Sequence, residues 1–364
     1  MPVVYLKPTN RCTIGCSHCF LPESVRMSKE KMSEKTLHKV GYFLSEAQKY
    51  GDKRTPHIIW HGGEPLSLSA NYLSGAVEIL KQYLPKFTQS IQTSLIPLKD
   101  EHIPFIKKNL RSRIGSSIDF GPRKLNGSVS TYHDIWLKKV EKARSADIEV
   151  IPTMVACKHH IGHELQILDW MVSHHFKIFS VERYNNFSDN TISVDRPSNK
   201  EHAQFLNNLF DALMERMRKT GSSPLVGAIK AAIYGIIYGL QGDRWGGGCQ
   251  TSFIVIEPDG SLNSCPDRSS FEEAFSNVTD GYTAFIGSSL RRKWTRYQTF
   301  GHRNSNCSTC ENSSFCKSGC PITSNNLLDE GNECSGYYSH LKFIRGWLEV
   351  PGNKELALTY CAQA

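Results

Sequence analysis

Three cysteines near the start of the chain have the residue type and spacing of a metal centre. Cys12, Cys16 and Cys19 follow the spacing C-x3-C-x2-C, just after an apolar run at residues 3–6 that predicts a first strand. Three thiolates can hold three corners of a cubane [4Fe–4S] cluster and leave one iron open to a non-protein ligand. A zinc knuckle without its fourth ligand and buried cysteines without a metal are the alternatives that spacing alone leaves open.

A second set of cysteines occupies the last third of the chain, and its spacing is more specific. Two separated cysteines precede a C-x2-C-x5-C-x3-C run, and one more follows it. A zinc ribbon could use two C-x2-C pairs but would not need the x5 and x3 spacings. The chain has twelve cysteines and no secretory signal pattern at its start, which favours metal ligation over disulfides. The seven positions are Cys249, Cys265, Cys307, Cys310, Cys316, Cys320 and Cys334.

Composition indicates an ordinary globular protein of 364 residues, long enough for one large α/β domain and a smaller module. The net charge of +8 comes from scattered lysines and arginines. This pattern is typical of a solvated basic face, or of a docking surface for an acidic peptide, and speaks against nucleic acid as a partner. The longest apolar stretch, around residues 228–240, is too short to span a bilayer, so a cytoplasmic protein is expected.

The elements that must position these residues alternate between strand and helix. Apolar periodicity predicts six strand–helix repeats, and such alternation indicates parallel strands with right-handed crossovers. Six repeats fall short of the eight of a closed TIM barrel, so an open (β/α)6 partial barrel fits, with its chemistry at the carboxyl ends of the strands. The predicted strands are 3–6, 57–60, 88–95, 113–119, 149–156 and 177–182, and the helices are 33–49, 73–83, 103–110, 132–145, 165–174 and 201–218.

The pattern changes near residue 242, where glycine and cysteine become frequent and helical periodicity fades. We therefore predict a barrel domain over residues 1–220, a connecting helix over 221–241, a cysteine-rich domain over 242–340, and a C-terminal helix and tail over 341–364. Within the connector the helix is expected at residues 225–240, and a strand is expected at 253–257.

The Cys12–Cys19 loop, together with Gly62-Gly63-Glu64-Pro65 after the second strand, resembles the radical S-adenosylmethionine (SAM) family. The resemblance implies that SAM chelates the open iron and that its cleavage yields a 5′-deoxyadenosyl radical. It also implies which residues contact SAM. The backbone of the glycine pair and Glu64 would meet its amino group, Ser94 its carboxylate, and Ser117 and Asp119 its ribose and carboxylate.

Two positions depart from the family pattern. His18 precedes the third cysteine, where an aromatic Tyr or Phe is usual, and it would pack near the adenine of SAM. The family often carries an arginine where this chain has Val129, and Arg123 or Lys124 is a candidate to replace it.

The C-terminal cysteines resemble the SPASM module that binds two auxiliary clusters in part of this family. The resemblance assigns Cys307, Cys310, Cys316 and Cys334 to one cluster, and Cys249, Cys265 and Cys320 to the other, which gives three [4Fe–4S] clusters in all. Two cubanes need eight ligands and the motif supplies seven cysteines. An open iron or ligation by Asp243 is favoured for the eighth place, with Cys361 a remoter candidate.

These resemblances imply an oxidoreductase that modifies a peptide or protein, with Asp267 as general base or substrate contact. Crosslinking of a ribosomally made precursor through a carbon–carbon or thioether bond is the first hypothesis, and sulfatase maturation is the second. The expected partners are the substrate and an external one-electron reductant. Because the chain enters its first strand directly, a precursor is expected to bind either through the barrel and SPASM surfaces or through a separate peptide-recognition protein. An iron–sulfur electron carrier or zinc scaffold is the non-enzymatic alternative, which the glycine-rich loop and the six repeats disfavour.

Overall fold

The computed structural model describes residues 2–19, 21–184, 195–248, 252–267, 273–297, 299, 305–320 and 333–363. These residues form two compact units. The first contains the described residues within 1–151 and 248–295, and the second contains those within 152–186, 192–247 and 296–364. The domain boundaries inferred from the sequence stay a prediction.

Strand and helix alternate as the apolar periodicity predicts, and all six predicted repeats are present. The strands are β1 Val3–Thr9, β2 Gly15–Cys16, β3 His57–Gly62, β4 Thr88–Thr93, β5 Arg113–Ser117, β6 Arg123–Lys124, β7 Glu149–Val155, β8 Ile178–Glu182, β9 Leu225–Val226, β10 Phe253–Ile256, β11 Ser261–Asn263 and β12 Ser276–Asn277. The helices are α1 Glu23–Arg26, α2 Glu34–Tyr50, α3 Ala70–Tyr83, α4 His102–Asn109, α5 Val129–Ser145, α6 Glu164–Ser173, α7 Asn199–Thr220, α8 Gly227–Tyr238, α9 Gly281–Gly287, α10 Ser289–Arg296, α11 Ser313–Cys316, α12 Tyr338–Leu348 and α13 Asn353–Cys361.

The sheet of the first unit is parallel at its centre. Strands β10, β1, β3, β4 and β5 are neighbours in that order, and β11 and β12 extend the β10 edge in antiparallel pairing. Val4 pairs with Ile58 on one side and Ile254 on the other, and all three side chains are buried. Because parallel strands end at the same edge, the loops after β1, β3, β4 and β5 are brought together there.

Serine side chains start the helices that cross over between these strands. Ser33, Ser69 and Ser128 each accept a hydrogen bond from a backbone amide in the first turn of α2, α3 and α5. The long helix α7 begins with a capping box formed by Ser198 and Glu201. Each cap satisfies backbone donors that the helix itself leaves free, so these positions determine where the helices begin.

The second unit contains the parallel strands β7, β8 and β9, with α7, α8, α12 and α13 packed together. The helix predicted at residues 225–240 is shorter at both ends. Leu225 and Val226 pair with β8 as a strand, and Gly239 ends α8 in the left-handed conformation. Two helices, α12 and α13, replace the predicted single C-terminal helix. Within the described residues, no helix combines the length and apolarity needed to cross a membrane.

Candidate functional site

The three N-terminal cysteines lie on one loop that follows β1 in the first unit. Within this loop β2 pairs with β6, so that Cys16 is opposite Arg123. The amide of Cys12 donates to the carbonyl of Arg26 at 3.0 Å, and the amide of Cys19 donates to the carbonyl of Cys16 at 3.2 Å. These hydrogen bonds fix the backbone of the loop, and the three cysteine residues are half-buried.

The three thiols influence one another electrostatically. Burial raises the pKa of Cys12 to about 11 and that of Cys16 to about 12, and the neighbouring Cys19 raises both further. Arg123 opposes this increase in pKa, and its Nη1 donates to Cys16 Sγ at 3.1 Å. Three thiolates in such surroundings need a cationic centre to remain ionised, which is what an iron–sulfur cluster provides. The donor set therefore fits the cluster that the motif predicts.

Among the described residues, no three His, Cys, Asp or Glu side chains are close enough to hold a single metal ion. This finding is compatible with a cubane, because each iron of a cubane takes its own thiolate and the ligand sulfurs do not converge on one ion.

The two glycines after β3 pack directly against the backbone that leads into the cysteine loop. A Cβ on Gly62 would lie 2.3 Å from the carbonyl oxygen of Thr9, and one on Gly63 would lie 2.2 Å from that of Asn10. Gly62 also has a φ of 113°, which L side chains rarely adopt. The amide of Glu64 then donates to the carbonyl of Arg11 at 2.9 Å. The glycine pair thus places the β3 loop against the cysteine loop.

The buried carboxylate of Glu64 is held by four donors. Its Oε1 accepts from the Leu66 amide at 3.0 Å and from Thr93 Oγ1 at 2.5 Å. Its Oε2 accepts from the Ser94 amide at 2.7 Å and from the Ser94 hydroxyl. The structure therefore brings together Glu64 and Ser94, both predicted SAM contacts, by a direct hydrogen bond. Thr93 was missed from the sequence, because its neighbour Ser94 already satisfied the family pattern.

Asp119, the predicted ribose contact, is fully buried beside the cysteine loop. Arg123 Nε donates to Asp119 Oδ2 at 2.8 Å, and His18 Nε2 lies 3.5 Å from the same oxygen. Burial lowers the pKa of His18 to about 4, so its imidazole is neutral at pH 7. The Arg123 side chain contacts both Asp119 and Cys16. Lys124, the other candidate cation, is paired with Gly15 through the backbones of β6 and β2.

Ser117, the other predicted ribose contact, lies in the same region. Its hydroxyl accepts from Gln92 Nε2 at 3.0 Å. The hydroxyl of Tyr132 lies 2.8 Å from the carbonyl oxygen of Ser117 and 3.1 Å from that of Ser94. Tyr132 thus joins the ends of β4 and β5. No sequence signal indicated these contacts of the Tyr132 hydroxyl.

A buried ion pair connects β1 to the segment that contains Cys265 and Asp267. Lys7 is fully buried, and its Nζ donates to Glu257 Oε1 at 2.9 Å and to the carbonyl of Pro266 at 3.1 Å. Asn10 Nδ2 donates to the other oxygen of Glu257 at 2.9 Å. The position of the backbone just before Asp267 is therefore fixed from the strand that precedes the cysteine loop. Because Lys7 and Glu257 are 250 residues apart in the sequence, no local sequence pattern indicated this pair.

Four of the C-terminal cysteines in the second unit, Cys307, Cys310, Cys316 and Cys334, influence one another electrostatically. Burial raises the pKa of Cys316 to about 12, and Cys334 and Cys310 add to the increase. Burial raises the pKa of Cys334 to about 11, with a contribution from Cys307. A Cβ on Gly336 would lie 2.5 Å from Cys316 Sγ and 3.7 Å from Cys334 Sγ, so a larger residue there would occupy the space beside these thiols. These four residues fit one cluster.

The residues predicted for the other auxiliary cluster are distributed between the units. Cys265 belongs to the first unit and Cys320 to the second, while Cys249 lies outside the described residues. Asp243, the candidate fourth ligand, has a φ of 50°, and its Oδ1 accepts from Arg244 Nε at 2.8 Å. Cys361 is fully buried at the end of α13.

We expect Asp243→Ala to lower the iron content by up to one cluster, about four irons per chain, because a carboxylate ligand would be lost. Cys361→Ala is expected to leave the iron content unchanged, since its thiol lies within the helical core of the second unit. Iron and sulfide analysis of the reconstituted variants measures both effects. Loss of a cluster in Cys361→Ala but not in Asp243→Ala would contradict the assignment.

Residues 6–171 match the protein-family model of the radical SAM superfamily. The matched segment contains the cysteine loop and the glycine pair. The match includes Cys12, Cys16, Cys19, Glu64 and Asp119.

Among curated proteins, the chain is similar to the serine-type anaerobic sulfatase-maturating enzyme of Klebsiella aerogenes. The identity is 22% over 370 residues, which cover 92% of this chain and 83% of the relative. An uncharacterised protein of Archaeoglobus fulgidus is 24% identical over 172 residues, and the match spans 38% of that relative's length and 46% of this chain.

Solved structures share the fold. Native anSMEcpe with bound AdoMet and the Cp18Cys peptide has a TM-score of 0.77 at 17% identity, covering 98% of this chain and 99% of that one. Streptococcus suis SuiB bound to S-adenosylmethionine has a TM-score of 0.62 at 16% identity, covering 88% and 73% of the two chains. The α/β class with parallel strands and a cysteine-rich C-terminal region is thus confirmed.

Proposed function

We propose that this protein is a radical SAM oxidoreductase that modifies a peptide or protein, with crosslinking of a ribosomally made precursor peptide as its reaction. The proposal rests on the hydrogen bonds that connect the cysteine loop with the predicted SAM contacts. Arg123 connects Cys16 to Asp119, and the backbone of Glu64 connects the glycine pair to Arg11 in the cysteine loop. A cysteine-rich zinc scaffold or electron carrier would not require these contacts.

Each element of the first unit has a part in this proposal. Cys12, Cys16 and Cys19 would hold a [4Fe–4S] cluster, and that cluster together with SAM would supply a 5′-deoxyadenosyl radical for hydrogen abstraction. Asp119 and Ser117 lie at the end of β5, where a ribose would be oriented by the buried carboxylate and the hydroxyl. The neutral His18 imidazole offers a flat, uncharged face beside them for an adenine.

The C-terminal cysteines would hold two further clusters, so that the chain carries three in all. Such clusters can take the electron released when a substrate radical is oxidised to a closed-shell product. A base must then accept the proton, and Asp267 is proposed for that role. Its neighbour Pro266 is fixed by Lys7, which limits how far the carboxylate can move.

Sulfatase maturation is the second candidate, favoured by the match to the Klebsiella enzyme over 92% of this chain. SuiB, a structural relative solved bound to its precursor peptide SuiA, supports a precursor peptide as the substrate in the first candidate. One local difference bears on the choice. In sulfatase-maturating relatives an aspartate directly follows the cysteine, whereas here Pro266 separates Cys265 from Asp267.

The experiment that tests the proposal is incubation of the reduced, reconstituted protein and SAM with two sets of peptides. One set consists of short peptides encoded beside this gene, and the other consists of sulfatase-derived peptides containing Cys or Ser at the modified position. Formation of a crosslink lowers the substrate mass by about 2 Da, for two hydrogens, and fragmentation by mass spectrometry locates the bond. Conversion of sulfatase peptides to formylglycine, with the encoded peptides unchanged, would establish the second candidate in place of the first.

Asp267→Asn is expected to reduce product formation by about a hundredfold or more, because general bases typically contribute that much. Cleavage of SAM should continue, since Asp267 is not proposed to contact the cluster or SAM. Parallel measurement of 5′-deoxyadenosine and modified peptide separates the two steps. Asp259→Asn is the matched control, because this aspartate forms an exposed turn with Ser261. Normal product formation by Asp267→Asn would remove Asp267 from the proposed mechanism.

A further inference from the structure

Arg123, in the first unit, is placed beside the cysteine loop by the pairing of two short strands. Strand β6 pairs antiparallel with β2, so that Arg123 is opposite Cys16, and the Ser17 amide donates to the carbonyl of Pro122 at 2.9 Å. Opposite residues of an antiparallel pair have neighbouring side chains. Only 11% of the Arg123 side chain is exposed. The backbone therefore holds a largely buried cation next to one particular thiol.

Each nitrogen of the Arg123 guanidinium has a partner in the same unit. Nε donates to Asp119 Oδ2 at 2.8 Å, and Nη1 donates to Cys16 Sγ at 3.1 Å. Nη2 lies 3.5 Å from His18 Nε2, and Cζ lies 5.7 Å from the centre of the Tyr132 ring. A guanidinium is a rigid planar fork, so contacts on its three nitrogens and on its face restrict it to one orientation. In that orientation Nη1 is directed at the sulfur of Cys16.

The contact between Arg123 and Cys16 favours negative charge on the sulfur. A guanidinium has donors only, so Cys16 Sγ is the acceptor. Hydrogen bonds in which a group is ionised are stronger than neutral ones, so this donor favours the thiolate over the thiol. In agreement, Arg123 acts to lower the pKa of Cys16 against the effect of burial. A thiolate that ligates an iron–sulfur cluster can still accept a hydrogen bond.

Asp119 balances the charge of Arg123 without replacing its hydrogen bond to Cys16. The Asp119 carboxylate is fully buried and is paired with Arg123 Nε. The two opposite charges largely cancel at the cysteine loop, whereas the Nη1–H group remains directed at the sulfur. Removal of either partner alone would leave the charge of the other unbalanced at the same place. Single replacements of Arg123 and of Asp119 are therefore expected to have opposite electrostatic effects on anything bound by this loop.

We propose that Arg123 raises the reduction potential of the [4Fe–4S] cluster that Cys12, Cys16 and Cys19 would hold, through its hydrogen bond to Cys16 Sγ. Reduction adds one electron, taken from the external one-electron reductant, and makes the cluster more negative. Hydrogen bonds to the sulfurs help to set the potential of such clusters, and a donor stabilises the more negative form. This inference rests on the proposed function, since it assigns a cluster to the loop. Arg123 is thus a positioning residue that acts through Cys16.

The test is a redox titration of the full reconstituted chain without SAM, followed by electron paramagnetic resonance. The signal that is absent from Cys16→Ala identifies the cluster of the cysteine loop. Arg123→Met should lower the midpoint potential of this signal, by about tenfold or more in the ratio of reduced to oxidised cluster, or ~59 mV for one electron. Asp119→Asn should raise the same potential, because it leaves the charge of Arg123 unbalanced. Signals that Cys16→Ala retains serve as the internal reference and should not shift.

The double variant with Arg123→Met and Asp119→Asn separates the hydrogen bond from charge and folding. Arg123→Met alone leaves a buried carboxylate unpaired, which is destabilising, and the double variant removes that charge. Its potential should lie above that of Arg123→Met and below that of the wild type, since the hydrogen bond to Cys16 is lost. If Arg123→Met loses the cluster, Asp119→Asn and the double variant still decide the sign. Arg113→Gln is the control, because it removes an exposed arginine that pairs with Glu149.

The outcomes that would overturn the inference are specific. They are equal potentials of the wild type and the double variant at full iron content, and shifts of the same sign in Arg123→Met and Asp119→Asn. Weaker SAM binding by Arg123→Met at an unchanged potential would assign Arg123 to SAM and so overturn the inference too. Failure of the wild type to cleave SAM, with the predicted shifts observed, would overturn the proposed function and leave the role of Arg123 intact.

Discussion

Replacement of Cys12, Cys16 or Cys19 by alanine is expected to abolish SAM cleavage in each single variant. Three ligands are the minimum for a cubane with one open iron, so removal of any one should release the cluster. Iron content should fall by about four atoms per chain, while the clusters of the C-terminal cysteines remain. Chromatographic assay of 5′-deoxyadenosine and chemical analysis of iron measure the two effects.

Cys157→Ala is the matched control for these variants. Cys157 is buried at the end of β7, and its spacing fits neither set of cluster ligands. This variant should retain SAM cleavage and the full iron content. Turnover at the wild-type rate in any one of the three alanine variants would show that the corresponding cysteine is not a ligand.

Glu64→Ala is expected to have the largest effect on stability, about 3–5 kcal/mol in the free energy of unfolding. The Glu64 carboxylate accepts from Leu66, Thr93 and Ser94, and its loss leaves buried donors of all three without an acceptor. Hydrogen bonds to a charged group contribute about 1.5–3 kcal/mol each, and bonds within one network do not add fully. Urea unfolding followed by tryptophan fluorescence measures the change, since Trp60 is buried in the adjacent strand β3.

Glu78→Ala provides the comparison for Glu64→Ala. Glu78 is exposed and pairs with Lys81 on the surface of α3, so its replacement should change the free energy of unfolding by no more than about 0.5 kcal/mol. If the Glu64 and Glu78 variants unfold at the same urea concentration, the hydrogen bonds drawn to Glu64 do not stabilise the β3 loop.

The strand–helix repeats were predictable from the sequence because each depends on local periodicity and on helix caps. Leu37, Val40, Phe43 and Leu44 recur at helical spacing and are buried on α2, and Ser33 caps its start. The short pairing between Leu225 and Ile178 was not predictable, because two apolar residues before a helix read as its first turn. The start of α8 is therefore set by strand pairing in the folded protein and not by the local sequence pattern.

Those residues of the candidate site that belong to a sequence motif were predictable. The cysteines were indicated by their spacing, and the glycine pair, Ser94 and Asp119 by the resemblance to the radical SAM family. The charged residues around them could not be predicted, because Lys7 and Glu257, and likewise Arg123 and Cys16, are far apart in the sequence.

The most direct test of the central claim is a SAM-cleavage assay on the reconstituted wild-type chain. The protein is incubated anaerobically with SAM, with and without a one-electron reductant, and 5′-deoxyadenosine and methionine are quantified. The radical SAM assignment predicts equal amounts of both products in the presence of reductant and neither in its absence. A fully cluster-loaded protein that forms no 5′-deoxyadenosine under reducing conditions, even with candidate peptide substrates present, would contradict it.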